Sequence, residues 1–477
     1  MIEPIDHTDV APAIAVAPRP EAVARPTLTL AVAALATLLV LAVFSAPVTT
    51  VGEMAHSLHA GVGGQTWALS AMSLGLATAL LPIGAIADEL GRRRVLVWSA
   101  ASLAATNAVA AAAPSIAILV GARVLQGMAG AGVVTASLAA IGHAFPAGRD
   151  RTHATAAWGA ALGGGIALGP IAAAALAAPL GWRSGYWAQA IAAAALVPAA
   201  TRIAESRATS RRRPDLPGIA TLGAGMALLT AGLVEGRTDW TGTPTLALLA
   251  GGALLLAAFA ALEAHRAAPM IDLRLFGEPL FVASIVGALF TGLAVIGLMS
   301  YSPTMMQRGL GIGLLGSAAV LATWSGTSML VALAARWLPQ GLASPARLAI
   351  GLALVAVGEL ALTGLGTGSS WTRLVPGLAI AGVGSGLANA ALGRLAVESV
   401  HRDRAGMGSG ANNTARYLGG AAGVAVVVAL VSAAGRGGDE ATRLVRGWDV
   451  ATLACAALCA AGALLAGVAA RRQVRAA

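Results

Sequence analysis

One feature outweighs the others in this chain: apolar stretches about twenty residues long recur from near its start to near its end, separated by short arginine-bearing segments. They lie at about 28–50, 65–87, 95–113, 115–141, 153–179, 183–203, 216–234, 244–264, 280–305, 313–336, 346–366, 373–397, 407–434 and 450–470. A helix needs about 20 residues to cross the hydrocarbon core, and in lipid every backbone polar group must be satisfied within the segment, so each run is expected to be a membrane helix. The chain has 477 residues, 57% apolar and 11% charged, where soluble domains carry roughly 25% charged residues. A soluble fold is excluded, and too little chain remains between the runs for a separate catalytic domain.

All 31 basic residues are arginine, and the formal net charge is +10. Nucleic-acid binding would require a folded basic face. Here the arginines flank apolar runs, so the bilayer is the expected partner and nucleic acid is not. With both termini cytoplasmic, arginines favour the inner side over the outer by about three to one, leaving Arg123, Arg394 and Arg416 inside helices. Trp67, Trp182, Trp240, Trp371 and Trp448 then fall near outer boundaries and Trp98 and Trp337 near inner ones, as interfacial belts require. Without lysine no phosphate-binding Gly-Lys loop exists. Cys455 and Cys459, one turn apart in an apolar run, suit packing and not a disulfide or a metal site.

Residues 1–26, with five prolines, read as a disordered cytoplasmic tail. The first apolar run is too long for a signal-peptide core. The longest internal polar stretch, Thr201 to Asp215 with Arg211, Arg212 and Arg213, is the natural joint between two halves. The expected fold is all-α: a six-helix bundle over 27–203, a linker plus helices 7 and 8 over 204–277, a second six-helix bundle over 278–470, and a cytoplasmic tail at 471–477. Two such halves suggest a transporter that rocks about a midplane cavity.

Four stretches carry more specific information. After helix 2, Gly84-Ala-Ile-Ala-Asp88-Glu-Leu-Gly91-Arg92-Arg93-Arg94 packs glycine, acid and basic cluster into one tight turn. Gly91 permits the reversal, and Asp88 can pair with the cluster or face a helix N-terminus. Helix 4 holds Arg123-Val-Leu-Gln126-Gly127-Met-Ala-Gly130. Arg123 lies roughly 12 Å deep by helical rise, where an unpaired charge is costly, so it should face a partner or a wet cavity. Helix 5 reads Gly163-Gly164-Gly165-Ile-Ala-Leu-Gly169-Pro170, a small-residue face with a proline that removes a donor. Helix 13 opens with Ala405-Gly-Met-Gly-Ser-Gly-Ala-Asn412-Asn413-Thr-Ala-Arg416.

These stretches resemble the motifs of the major facilitator superfamily, in particular its fourteen-helix drug:proton antiporter branch. Gly181-Trp182-Arg183 and Asp215-Leu-Pro-Gly218 add to the likeness. The resemblance implies a multi-pass transporter of the bacterial inner membrane that exports small amphiphilic drugs by alternating access, with the proton as coupling ion, no cofactor, and a monomeric state. It implies a conformational latch at Gly84, Asp88, Gly91, Arg92 and Arg93, with Asp88 facing the start of helix 13. Proton coupling falls to Arg123, and the Gly165, Gly169 and Pro170 bend would seal or hinge the cavity. One departure matters: the branch usually carries an Asp and an Asn in helix 1, where this sequence has Leu38 and Val43. With no carboxylate near the middle of the cavity helices, neutral or anionic amphiphiles are the expected substrates.

Glu359 is the sole carboxylate well inside an expected helix. It is a second candidate for proton coupling, against a neutral glutamic acid bonded to a neighbouring helix. Gln126, Tyr301, Trp324, Asn389, Arg394 and Asn412 are chosen for the cavity wall, because polar and aromatic groups in lipid need partners or water. Rival readings are a dedicated exporter of one metabolite, a non-transporting sensor on the same scaffold, and a polytopic membrane enzyme. The enzyme would need clustered acids or histidines at a membrane face, and only His56 and His59 pair up.

Overall fold

The computed structural model describes residues 26–145, 149–207, 215–236, 240–266, 273–334, 342–400, 405–434 and 438–476. Residues 1–25 of the expected tail, Arg211, Arg212 and Arg213 of the joint, Trp337 and the Asp88 side chain lie outside the described part.

The described chain is a succession of helices. The first part contains α1 (Pro26–Ser45), α2 (Pro47–Ser57), α3 (Val62–Leu90), α4 (Arg92–Ala111), α5 (Ile116–Ala144), α6 (Arg149–Leu180) and α7 (Arg183–Ala200). Then come α8 (Leu216–Gly236) and α9 (Thr243–Ala264). The last part contains α10 (Pro279–Phe290), α11 (Gly297–Thr304), α12 (Leu314–Ala334), α13 (Ser344–Leu360), α14 (Leu374–Glu398), α15 (Ala405–Ala434) and α16 (Glu440–Ala476). Pro47, Pro244, Pro279 and Pro345 sit in first turns, where the missing N–H costs nothing.

Among the described residues, 11 helices are long and apolar enough to cross a membrane. Of the fourteen runs expected to cross, 216–234 forms the shorter apolar helix Pro217–Leu233, and α7 and α13 have 18 and 17 residues. The first run is divided at Ala46, and the ninth contains a π-helical turn at Thr291–Ile296 and leads into a second at Met305–Gly309. α16 continues to Ala476, so residues 471–476 extend the last helix where a tail was expected.

Close helix approach explains much of the glycine. α3 crosses α5 where Gly75 meets Gly127, and a Cβ on Gly127 would fall 2.8 Å from the Gly75 Cα. Apolar side chains gain little by leaving lipid for one another, so contact between backbones is what holds such helices together. One core cluster joins α1, α3, α4 and α5; a second joins α10 to α16 and extends onto α2 and the adjoining ends of α3, α4, α5 and α7. The two are seamed where α3 packs on α15 and α6 on α12. Across the first seam, Ser70 donates to the Ala421 carbonyl and Thr414 to the Ala77 carbonyl, each at 3.4 Å. α8 and α9 pack on each other, with α8 against both α3 and α15.

The tryptophan belt needs correction. Trp98, Trp240 and Trp371 are exposed, but Trp182 and Trp448 are buried. Arg183 lies over the Trp182 ring at 4.3 Å, and the Trp448 indole donates to the Leu362 carbonyl at 3.0 Å. Nearness to a helix end does not distinguish a ring facing lipid from one folded under a loop.

Candidate functional site: a broken first helix and the cavity beside it

The site begins with a proline. Pro47 has no N–H, so the carbonyl of Val43, four residues earlier, loses its helical donor, and the helix stops at Ser45 and restarts at Pro47. Arg123 on α5 fills the gap. Its Nη1 donates to the Val43 carbonyl at 2.8 Å and its Nη2 to the Phe44 carbonyl at 3.2 Å. Its Nε donates to the Ala68 carbonyl on α3 at 3.1 Å. The guanidinium thus sits at the carbonyl end of α1, where the helix dipole is negative, and is stabilised without a carboxylate. Arg123 is fully buried, so of the two expectations, a partner or a wet cavity, it meets the first.

Gln126 is also fully buried. It accepts from Arg123 at 3.2 Å and donates to Asn107 Oδ1 at 3.3 Å on α4. It lies between Arg123 and Asn107 of α4 with no exposed surface, which is not the position of a cavity-wall residue.

α6 grips the other side of the break. A Cβ on Gly165 would fall 2.7 Å from Leu41 Cβ, and one on Gly169 2.8 Å from Ala42 Cα. Ser45 donates to the Gly165 carbonyl at 3.3 Å, and Thr49 to the Pro170 carbonyl at 3.2 Å. The expected bend at Pro170 is not a break, since α6 runs continuously from Arg149 to Leu180; the interruption lies in its partner, at Pro47. Further along the same helices, Ser137 accepts from the Trp158 indole at 3.0 Å and meets the Thr37 hydroxyl at 3.1 Å.

Next to α2, at the end of the bundle carrying the 57–62 turn, a cavity of about 190 Å³ opens between α2 and α3 on one side and α11, α15 and α16 on the other. Tyr301, Thr304, Arg308, Gln65, Glu440 and Arg443 supply its polar lining, and Val51, Leu69 and Val428 part of its apolar wall. Arg308 pairs with Glu440. Gln307, in the second π turn, donates to the Thr49 carbonyl and to the Ser317 hydroxyl, both at 2.9 Å, tying α2 to α12. Asp439 caps α16, and its carboxyl is held below the usual carboxylate range because Thr442 donates to it from both hydroxyl and backbone.

At the opposite end, Gly91 turns the chain with φ of 109°. The Arg92 N–H donates to the Ser206 carbonyl at 3.0 Å, the Arg93 N–H to Glu205 at 3.0 Å, and the Arg92 side chain to the Ala139 carbonyl at 3.2 Å. Gly84 is half-buried one helical stretch earlier. Glu205, which sequence reasoning missed, thus joins the residues of this turn; its signal was an isolated acid in the arginine-rich stretch after α7.

The sequence pattern of the Major Facilitator Superfamily matches residues 33–424. The chain belongs to this superfamily. It is 31% identical over 434 residues to the probable actinorhodin transporter of Streptomyces coelicolor, covering 87% of this chain and 74% of that protein. It is 28% identical over 383 residues to the multidrug resistance protein Stp of Mycobacterium tuberculosis, covering 80% of this chain and 71% of that one. The crystal structure of the human organic anion transporter MFSD10 superposes with a TM-score of 0.65 at 19% identity, over 93% of this chain and 100% of that one, which gives the shared fold.

This facilitator brings only part of the expected cavity wall together. Tyr301 lines the cavity, and Arg308, Gln65 and Glu440 join it unforeseen. The Trp324 indole donates to Ser385 at 3.0 Å between α12 and α14, and Asn389 is half-buried on α14. Asn412 is spent on Ser284, donating to its carbonyl at 3.0 Å and its hydroxyl at 2.9 Å. Arg394 is exposed and donates to Glu398, one turn on, at 3.1 Å, so it is not a wall residue. Glu359 is fully buried between α13 and α16, beside the Cys459 thiol, and neither oxygen has another hydrogen-bond donor among the described residues. It stands next to the last residue of α13, not well inside the helix. Both cysteines are free and buried, as packing residues are.

Proposed function

We propose that this facilitator exports small amphiphilic drugs or antibiotics across a bacterial inner membrane by alternating access, driven by inward proton flow. The observation that carries this is the break in the first helix, clasped between a fully buried arginine and the glycine face of α6. Counting α1 with α2, and Pro279–Gly309, as single spans, the chain crosses fourteen times with both termini cytoplasmic. Two six-helix bundles, 27–203 and 278–470, flank a linker and extra pair over 204–277, and one chain suffices as a monomer.

In this scheme the break moves as part of the N-terminal bundle, and opening the outer end requires Gln307 to release the Thr49 carbonyl. Asp88, Arg92 and Glu205 latch the opposite end. Arg123 holds a fixed positive charge at the break, and Glu359 is the carboxyl through which the other bundle takes up and returns a proton. Two arginines against one glutamate in the outer cavity favour neutral or anionic substrates.

Proteoliposomes with an imposed pH gradient test the reading, comparing wild type with Arg123→Ala, Asp88→Asn and Glu359→Gln. Gradient-dependent efflux in wild type, reduced in the variants, is expected; equal transport with and without the gradient eliminates antiport. A second reading, export of one dedicated compound, draws support from the similarity to a protein described as an actinorhodin transporter. Efflux profiling of a deletion strain separates a broad from a narrow substrate range.

A further inference from the structure

Away from the transport path, a groove of about 290 Å³ opens between the start of α4 and the end of α7, lined by Arg93, Arg94, Val97, Trp98 and Thr201. Arg94, Val97 and Trp98 follow one another at three- and four-residue spacing, so they share one face of α4. The Trp98 ring is 56% exposed. It lies roughly 6 Å along the helix from Arg94, so the guanidiniums stand at headgroup level while the ring stands where acyl chains begin.

The charge in this groove is unbalanced. Glu205 is the acid facing the two arginines among the described residues, and its Oε1 already accepts from the backbone N–H groups of Arg93 at 3.0 Å and Ser206 at 3.1 Å. The Nε atoms of Arg93 and Arg94 lie 3.6 and 3.9 Å from its Oε2, beyond hydrogen-bond length. Behind them is the positive end of α4. The Thr201 hydroxyl is used within its own helix end, donating to the Pro198 carbonyl at 2.8 Å.

We propose that this groove binds an anionic phospholipid, with the phosphate between Arg93 and Arg94 and an acyl chain against Val97 and Trp98. A free phosphate would satisfy the guanidiniums but leave the apolar wall bare. A choline headgroup would set an ammonium against two guanidiniums. The site has a regulatory side, since Arg93 also belongs to the Gly91 turn: lipid phosphate and Glu205 compete for the same guanidinium.

The test is equilibrium quenching of tryptophan fluorescence in the purified full-length protein by brominated phosphatidylglycerol or brominated phosphatidylcholine. Subtracting the signal of Trp98→Phe isolates the share of Trp98. Half-quenching is expected at about tenfold lower mole fraction for phosphatidylglycerol, since each interfacial arginine contributes severalfold to anionic-lipid affinity. Arg94→Gln shrinks that preference and Glu205→Gln enlarges it, so the proposal remains testable if the Arg93→Gln/Arg94→Gln double variant does not fold. Equal quenching by the two lipids in wild type overturns the proposal. So does a preference that survives in the folded double variant, or one abolished by millimolar inorganic phosphate, which would assign the groove to a free anion. None of these readouts involves transport, so failure here leaves the export reading standing, and the reverse holds too.

Discussion

Replacing Gly165 by alanine puts the grip of α6 on the broken helix to a quantitative test. The added Cβ would lie 2.7 Å from Leu41 Cβ and 3.1 Å from the Ala42 nitrogen, where ordinary contacts are 3.4–4 Å. Two of its three nearest neighbours are main-chain atoms of Leu38 and Ala42, which cannot swing aside, so α1 must retreat by roughly 1 Å in an interior packed as densely as a crystal. That retreat stretches the Ser45–Gly165 and Thr49–Pro170 hydrogen bonds, at 3.3 and 3.2 Å, past useful length. Overpacking costs about 1–3 kcal/mol and the two interhelical bonds about 0.6 kcal/mol each. Alanine's better helix propensity returns up to about 1 kcal/mol, leaving a net loss of about 1–3 kcal/mol. Gly159, on the same helix, is the control, because nothing lies within 4 Å of the point where a Cβ on it would stand. Unfolding temperature in detergent and gradient-driven efflux should both fall for Gly165→Ala, while Gly159→Ala holds or rises in stability. Equal melting and equal transport in the two variants would refute the idea that backbone contact with the break sets the mechanics.

Three further perturbations follow from the same geometry. Arg123→Lys keeps the charge but cannot reach the Val43, Phe44 and Ala68 carbonyls from one ammonium, so it should lose about 1–3 kcal/mol and at least tenfold in transport, read by melting and efflux together. Gly91→Ala places a Cβ 2.7 Å from the Glu205 carboxyl carbon on a backbone with φ of 109°, a cost of about 1–2 kcal/mol. Trypsin should then cut faster after Arg93 and Arg94; unchanged cleavage counts against Glu205 as the clamp. Gln307→Leu removes the tie from the second π turn to the Thr49 carbonyl. Labelling of Gln65→Cys, with Cys455 and Cys459 changed to serine, by an impermeant thiol reagent should rise by about fivefold, matching loss of about 1 kcal/mol of closure.

Sequence is informative here where period and composition carry the signal, and it falls silent where a partner must be named. The Gly91 turn, the small-residue face at Gly165 and Gly169, and the depth of Arg123 are all legible, because a tight reversal, a close crossing and a buried charge leave marks at the residue itself. The partners of these residues are not legible. Glu205 lies over a hundred positions from Gly91. The acceptors of Arg123 are main-chain carbonyls, which every residue has and no residue type advertises. The polar residues chosen for the cavity wall were read by chemistry alone, and a helix has several faces: Asn412 turns to α10, Gln126 to α4, and Arg394 runs back along its own helix to Glu398. Pro47 was the missed clue, since the carbonyl it strands can be counted from sequence.

By itself, the order of residues determined that this chain lives in a bilayer, that its helices are apolar on all sides with arginine at their ends, and that a few small-residue stretches press backbones together. Those are local consequences of having no water to satisfy a peptide group. Only the folded bundle decided which helix is broken, what accepts the hydrogen bonds of Arg123, and which side chains meet at the cavity beside α2. In lipid an apolar face gains little by choosing one neighbour over another, so that choice rests on backbone fit and a handful of hydrogen bonds distant in sequence.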